Sequence, residues 1–132
     1  MVYHQRSVRL EGDEHLLRKA FSNLVVNAIE SIAATDAKDG EVRVDLDDDH
    51  GLAVVTVRDN GPGVPKGERS RIFTPFYTGK VNGTGLGLSV VQKIVVSHNG
   101  TVELEDTPGE GASFVVRLPM TSDTKQDLEE WV

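Results

Sequence analysis

The apolar residues of this chain change their spacing partway along it, and that change limits the folds open to it. From Glu14 to about Ala34 they recur on one stripe of a helix, through Leu17, Phe21, Leu24, Ala28 and Ile32. From Val42 the period drops to two. Val42, Val44 and Leu46 alternate with Glu41, Arg43, Asp45 and Asp47, as a half-buried strand requires. "DDHG" is a turn, and "LAVVTVRD" from Leu52 to Asp59 reads as a second, more fully buried strand that completes a hairpin.

The same reading extends to both ends. Val2 to Leu10 is expected to form a short edge strand, and Gly12-Asp13 a turn and helix N-cap. "NGPGVP" forces a loop, a short helical turn follows around Glu68 to Phe73, and "TPFYTGKVNG" is loop again. A second helix follows Gly85, with Leu86, Val90 and Ile94 in line and Val91 and Val95 beside them; Asn99-Gly100 ends it. Thr101 to Glu105 and Ala112 to Leu118 read as another antiparallel pair. No internal repeat is visible. The order β-α-β-β-loop-α-β-β predicts an α/β two-layer sandwich, with helices packed on one face of a mixed, mostly antiparallel sheet.

Composition narrows the class. At 132 residues, 38% of them hydrophobic, the chain fits one domain with a real core. That domain is expected over residues 1–119, with a polar tail over 120–132 in which only Leu128 and Trp131 offer anchors. No apolar run approaches the length of a membrane span and no signal-peptide core is present, so no membrane contact and a cytoplasmic setting are expected. The absence of cysteine excludes disulfides and thiolate metal sites. A net charge of −7 argues against a nucleic-acid binder that works through a basic surface. An acidic protein can still hold a nucleotide through local amides, a cation and one or two basic side chains, because distant charge is screened beyond about 8 Å.

Glycines at 83, 85 and 87 run straight into the second helix, although glycine is a poor choice there beside Ser, Thr, Asp or Asn. A helix N-terminus offers free N–H groups and the positive end of a dipole to an anion such as phosphate. Glycine lets that anion approach closely. The pattern G-x-G-x-G is neither the dinucleotide fingerprint nor a P-loop, so the residues alone leave a Gly-rich linker open.

Other residues point the same way. Asn23 and Asn27 sit one above the other on the first helix, roughly 80–120° from the centre of the apolar stripe. Amide oxygens at such a boundary can hold a hard cation that also takes phosphate oxygens and water; a solvated Asn pair is the plain alternative. Asp59 ends a buried strand and opens "DNGPG". Its carboxylate could accept from a purine amino group, or simply form a turn. Gly61 and Gly63 would let a flat ring lie against the backbone. Lys80 stands before the glycines as a partner for a terminal phosphate or as a solvated loop lysine.

Together, "NLVVNAIES" (23–31), "DNGPG" (59–63), "FTPFYTGK" (73–80), "GTGLGL" (83–88) and "GEGASF" (109–114) resemble the N box, first glycine box, F box and further glycine motifs of sensor histidine kinase ATP-binding domains. The compact segment from Thr74 to Leu88 resembles the nitrogen-regulatory type with a short lid. The resemblance covers about Val8 to Leu118 and implies a Bergerat-type sandwich of the GHKL superfamily. It implies that Asn27 holds Mg²⁺, Asn23 supports the phosphate region, Asp59 binds the adenine amino group and Gly61 and Gly63 back the ring. Phe76 of the F box belongs to the same site, and Lys80 would meet the γ-phosphate. Gly83, Thr84, Gly85, Leu86, Gly87 and Leu88 would close the lid and face the phosphate chain. Ser113, where the family more often has Thr, would reach adenine through water.

Two departures from the superfamily shape the expected activity. Its hydrolases, of the gyrase, mismatch-repair and chaperone types, carry a catalytic Glu one turn before the metal-binding Asn; here Asn23 stands there. Fast intrinsic ATP hydrolysis is therefore not expected, with Glu30 the nearest carboxylate on the helix surface. Second, none of His4, His15, His50 and His98 has the His-Glu or His-Asp context of a phosphoacceptor. About a dozen residues precede the first long helix, which points to an excised catalytic domain or a stand-alone relative. The expected activity is transfer of the γ-phosphate of Mg·ATP to a histidine on a separate dimerisation domain, with a response regulator as the indirect partner. A stand-alone serine kinase of the anti-sigma type and a non-catalytic nucleotide-sensing module are the alternatives within the superfamily.

Overall fold

The computed structural model describes residues 2–3 by their backbone, and residues 9–33, 35, 39–75, 87–105 and 111–121 in full. The elements are β1 (Val2–Tyr3), α1 (Glu14–Ala33), β2 (Val42–Asp49), β3 (Leu52–Asp59), a 3₁₀ segment (Lys66–Arg71), α2 (Gly87–Ser97), β4 (Thr101–Glu105) and β5 (Ser113–Pro119). They form one five-stranded sheet in the order β1-β2-β3-β5-β4. Every pairing is antiparallel except β1 with β2, so the sheet is mixed and mostly antiparallel, as the sequence predicts. β1, over Val2–Tyr3, is the expected edge strand; residues 4–8 of the span expected for it lie outside the described residues.

The hairpin register pairs Asp49 with Leu52, which leaves His50-Gly51 as a two-residue loop. Both loop residues have positive φ, 51° and 84°, the geometry that suits the twist of a tight hairpin. α1 starts where Asp13 Oδ1 accepts from Leu16 N–H at 3.0 Å, an N-cap that satisfies one of the helix's orphan donors. α2 stops in a two-bond cap: Gly100 N–H donates to Val95 O and Asn99 N–H to Val96 O, with Asn99 left-handed at φ 62°.

Both helices pack on the same side of the sheet and against each other. Ala20, Leu24 and Ala28 of α1 and Val91, Ile94 and Val95 of α2 are buried over Val42, Val57, Val102, Phe114, Val116 and Leu118 of the strands. Leu17, Phe21 and Ile32 of the expected stripe flank that core. Phe73 meets Phe114 edge-on, with ring centroids 6.1 Å apart and planes at 86°, which anchors the start of the F box to the sheet. At the other end of the layer, His98 joins the two helices. Its Nε2 accepts from Asp13 N–H at 3.0 Å, and its Nδ1 donates to Ile94 O at 2.8 Å; those two bonds assign the tautomer. Gly12 leaves room for the ring, since a Cβ there would lie 2.4 Å from His98 Cδ2.

Candidate functional site

Asp59 is the last residue of β3 and only 2% exposed. It is held from two sides. Its backbone N–H donates to Ala112 O at 2.9 Å, which ties it to the start of β5. The neighbouring Asn60 clamps the loop to the start of β2: its Oδ1 accepts from Glu41 N–H at 2.8 Å and its Nδ2 donates to Asp39 O at 2.7 Å. Within the loop, Asp59 Oδ1 accepts from Gly61 N–H at 2.9 Å. The carboxylate is thus positioned by backbone on each flank before any ligand arrives.

Glycines wall this end of the site because side chains do not fit. Gly111 has φ +88°, and a Cβ on it would lie 2.0 Å from Asp59 O. Gly63 has φ +77°, and its Cβ would lie 3.0 Å from Gly111 O. A Cβ on Gly61 would come within 2.7 Å of Ser31 Oγ and 3.1 Å of Asp59 Oδ1. The first and third glycine motifs therefore meet each other across β3 and β5, next to the end of α1.

α1 supplies the long side of the site. Asn23, Asn27 and Ser31 are each half-buried and fall one turn apart on the flank of the core stripe. Eight residues of helix span about 12 Å, so the line runs from the Asp59 end towards the middle of α1. α2 carries Gly87 at its first position, exposed, and a half-buried Leu88. Because His98, just past the end of α2, holds the start of α1, α2 runs back along α1 from that junction. Its 11 residues cover about 16 Å, so Gly87 stands at the end of α2 away from that junction.

Asn23, Asn27, Asp59, Gly61, Gly63, Gly87 and Leu88 are thus residues of one helix-lined side of the sheet. Ser113 is not. Its ladder partner is Arg58, and Arg58 Nε donates to its hydroxyl at 2.9 Å. Strand alternation puts Asp59 and Phe114 on the helix side and Arg58 and Ser113 on the outer side, so the expected water-mediated route from Ser113 to adenine is corrected. Ala112, one residue earlier, takes the inward place. Phe76, Lys80, Gly83, Thr84, Gly85 and Leu86 lie outside the described residues. Sequence reasoning gave no role to Ser31, Asn60 or Gly111. Asn60 and Gly111 stood inside quoted motifs, but their work depends on contacts between segments far apart in the chain.

A strand-end carboxylate in a glycine-walled notch beside the end of α1, with two asparagines further along that helix, suits a flat base at one end and an anion at the other. Comparison with known proteins agrees. Residues 12–122 match the family of histidine kinase-, DNA gyrase B-, and HSP90-like ATPases, and the chain belongs to that family. It is 37% identical over 120 residues to the sensor histidine kinase ZraS of Klebsiella oxytoca, an alignment covering 90% of this chain and 25% of that protein. It is 36% identical over 117 residues to sporulation kinase A of Bacillus subtilis, covering 89% of this chain and 19% of that protein. Among solved structures, the ATP-binding domain of PrrB from Mycobacterium tuberculosis superposes with a TM-score of 0.71 at 31% identity, covering 91% of this chain and 79% of that one. The chain spans a quarter or less of the length of these two curated relatives.

Proposed function

We propose that this chain is the catalytic domain of a two-component histidine kinase, of the nitrogen-regulatory type with a short lid. In this reading residues 1–119 form the domain and 120–132 a tail. The domain binds Mg·ATP in the cytoplasm and presents the γ-phosphate to a histidine on a separate dimerisation domain, from which a response regulator then draws the phosphoryl group. The observation that carries this reading is the notch at Asp59. A nearly buried acceptor, prepositioned by backbone bonds, is walled by glycine backbone that packs too closely to admit a side chain.

In this reading Asp59 accepts from the adenine amino group, and Gly61 and Gly63 admit the ring. Asn27 holds Mg²⁺ through its amide oxygen and Asn23 supports the phosphates. When bound, the ion would neutralise charge on the β- and γ-phosphates. Among the described residues no group of three His, Asp or Glu side chains is placed to hold a metal. One amide oxygen, phosphate oxygens and water suffice for Mg²⁺ in a nucleotide site. Phe76, Lys80 and Gly83 to Leu88 complete the lid side, with Lys80 on the γ-phosphate. The acceptor imidazole attacks the γ-phosphorus, the bond to the bridging oxygen breaks, and ADP leaves. This chain contributes positioning and charge stabilisation and no base of its own. With Asn23 one turn before Asn27, water has no carboxylate to activate it at that position. No described helix is long and apolar enough to cross a membrane.

The test is transfer in trans. Incubated with γ-labelled ATP and a separately expressed dimerisation hairpin from a sensor kinase related to this chain, the chain is expected to label the hairpin's histidine. Rapid release of labelled inorganic phosphate by this chain alone, with no label on any hairpin, would overturn the proposal.

A further inference from the structure

Ser31 stands out on α1 for a bond it does not make. Half-buried hydroxyls in helices usually return to the carbonyl of the preceding turn. Ser97 at the end of α2 does so, its Oγ donating to Ile94 O at 2.7 Å, and Thr35 just past α1 bonds Ile32 O at 2.8 Å. Ser31 is half-buried, yet its hydroxyl has no hydrogen-bond partner among the described residues. Its direction is known from the other side of the notch. The point where a Cβ on Gly61 would lie is 2.7 Å from Ser31 Oγ and 3.1 Å from Asp59 Oδ1. Gly61 thus packs closely against both groups, which sets the hydroxyl and the carboxylate beside the same stretch of loop backbone. A base edge laid beside Gly61 would meet a carboxylate and an uncommitted hydroxyl together.

We propose that Ser31 is a specificity-determining residue that reads the purine alongside Asp59, its hydroxyl donating to ring nitrogen N1 directly or through one water. This rests on the reading that the base lies at the Asp59 end of the site. An ionised carboxylate only accepts, whereas a hydroxyl can donate. Adenine offers the matching pair on one edge: an amino donor at position 6 beside an acceptor at N1. Guanine offers the reverse, a carbonyl oxygen beside an N–H, and would set that oxygen against Asp59. Sites that hydrogen-bond a ligand reject analogues lacking the matching group more strongly than apolar pockets do. The role also falls to Ser31 by position, since the Ser113 hydroxyl is held by Arg58 on the far side of the sheet.

The experiment measures binding of ATP and of 1-deaza-ATP, which carries C–H in place of N1, to the whole chain by titration calorimetry. The parent is expected to prefer ATP by about 3- to 10-fold, the range of one modest hydrogen bond. Ser31→Ala should weaken ATP by the same factor and leave 1-deaza-ATP unchanged, while Ser31→Thr, which keeps the hydroxyl, should retain the preference. Alanine is the better helix former, so folding is not at risk. A Ser31→Ala variant that still prefers ATP as the parent does would overturn the role of Ser31. Asp59→Asn, measured in parallel, separates that result from a failure of the site: if it too leaves ATP affinity untouched, the base does not lie here and both readings fall. A loss with Asp59→Asn but none with Ser31→Ala removes Ser31 alone.

Discussion

Asn27 and Asp59 separate two roles that a single residue often combines, binding and folding. Asn27 lies on the flank of α1 and not among the core residues Ala20, Leu24 and Ala28. Asn27→Ala should therefore keep the fold, with circular dichroism unchanged, while Mg²⁺-dependent ATP binding is lost; unchanged Mg·ATP affinity by calorimetry would remove Asn27 as the metal ligand. For Asp59 the expected effect is on the base. Asp59→Asn keeps one oxygen for Gly61 N–H and turns the other into a donor facing the ligand's own amino group. A loss of about 1–3 kcal/mol is expected, the cost of a mismatched buried polar group, and it should fall equally on ATP and ADP. A variant with the parent's preference for ATP over GTP would show that the base is read elsewhere. At this scale the sequence was partly legible. The place of the asparagines on the flank of α1 and of Asp59 at the end of a buried strand followed from spacing alone. Counting by two from Phe114 would have turned Ser113 outward, because alternation alone decides its face. Ser31 was not legible, since its significance comes from Gly61, thirty positions away.

Elements in this fold are joined where backbone runs against backbone, and two glycines make the contrast measurable. A Cβ on Gly100, between α2 and β4, would lie 2.4 Å from Arg117 O of β5, a backbone atom that cannot step aside. Gly67, in the 3₁₀ segment, has nothing within 4 Å of that position. Gly100→Ala should destabilise by about 1–3 kcal/mol. Gly67→Ala should be neutral or slightly stabilising, because the unfolded chain loses freedom. Urea melts of the two variants check both, and a Gly100→Ala midpoint equal to the parent's would show that β4 and β5 have more slack than the geometry allows. The elements themselves were legible: the helical stripe, the alternating strands, the tight hairpin and the Asn99-Gly100 stop all follow local rules. What local rules could not give was the order β1-β2-β3-β5-β4 and the parallel pairing of β1. Strand order is a property of how the layers close over the core, and no short stretch encodes it.

For the whole molecule, the expectation is stabilisation by nucleotide without modification of the chain itself. Mg·ATP at a hundred times its dissociation constant should add about 2.7 kcal/mol, which for a domain of this size raises the melting temperature by roughly 10 °C. Under the same conditions labelled ATP should leave no stable phosphate on His4, His15, His50 or His98; a labelled histidine here would mean that the acceptor is on this chain. The junction at His98 gives the molecule a further property. Its ring fixes one end of α2 to the start of α1, while Gly87 at the other end leads in from Gly83 to Leu86. In mechanical terms α2 is a lever with its fulcrum at His98 and an arm of about 16 Å. A tilt of about 10° on that fulcrum would carry the far end through about 3 Å, the length of a hydrogen bond, so the bond at His98 also fixes where Gly87, the first residue of α2, comes to rest.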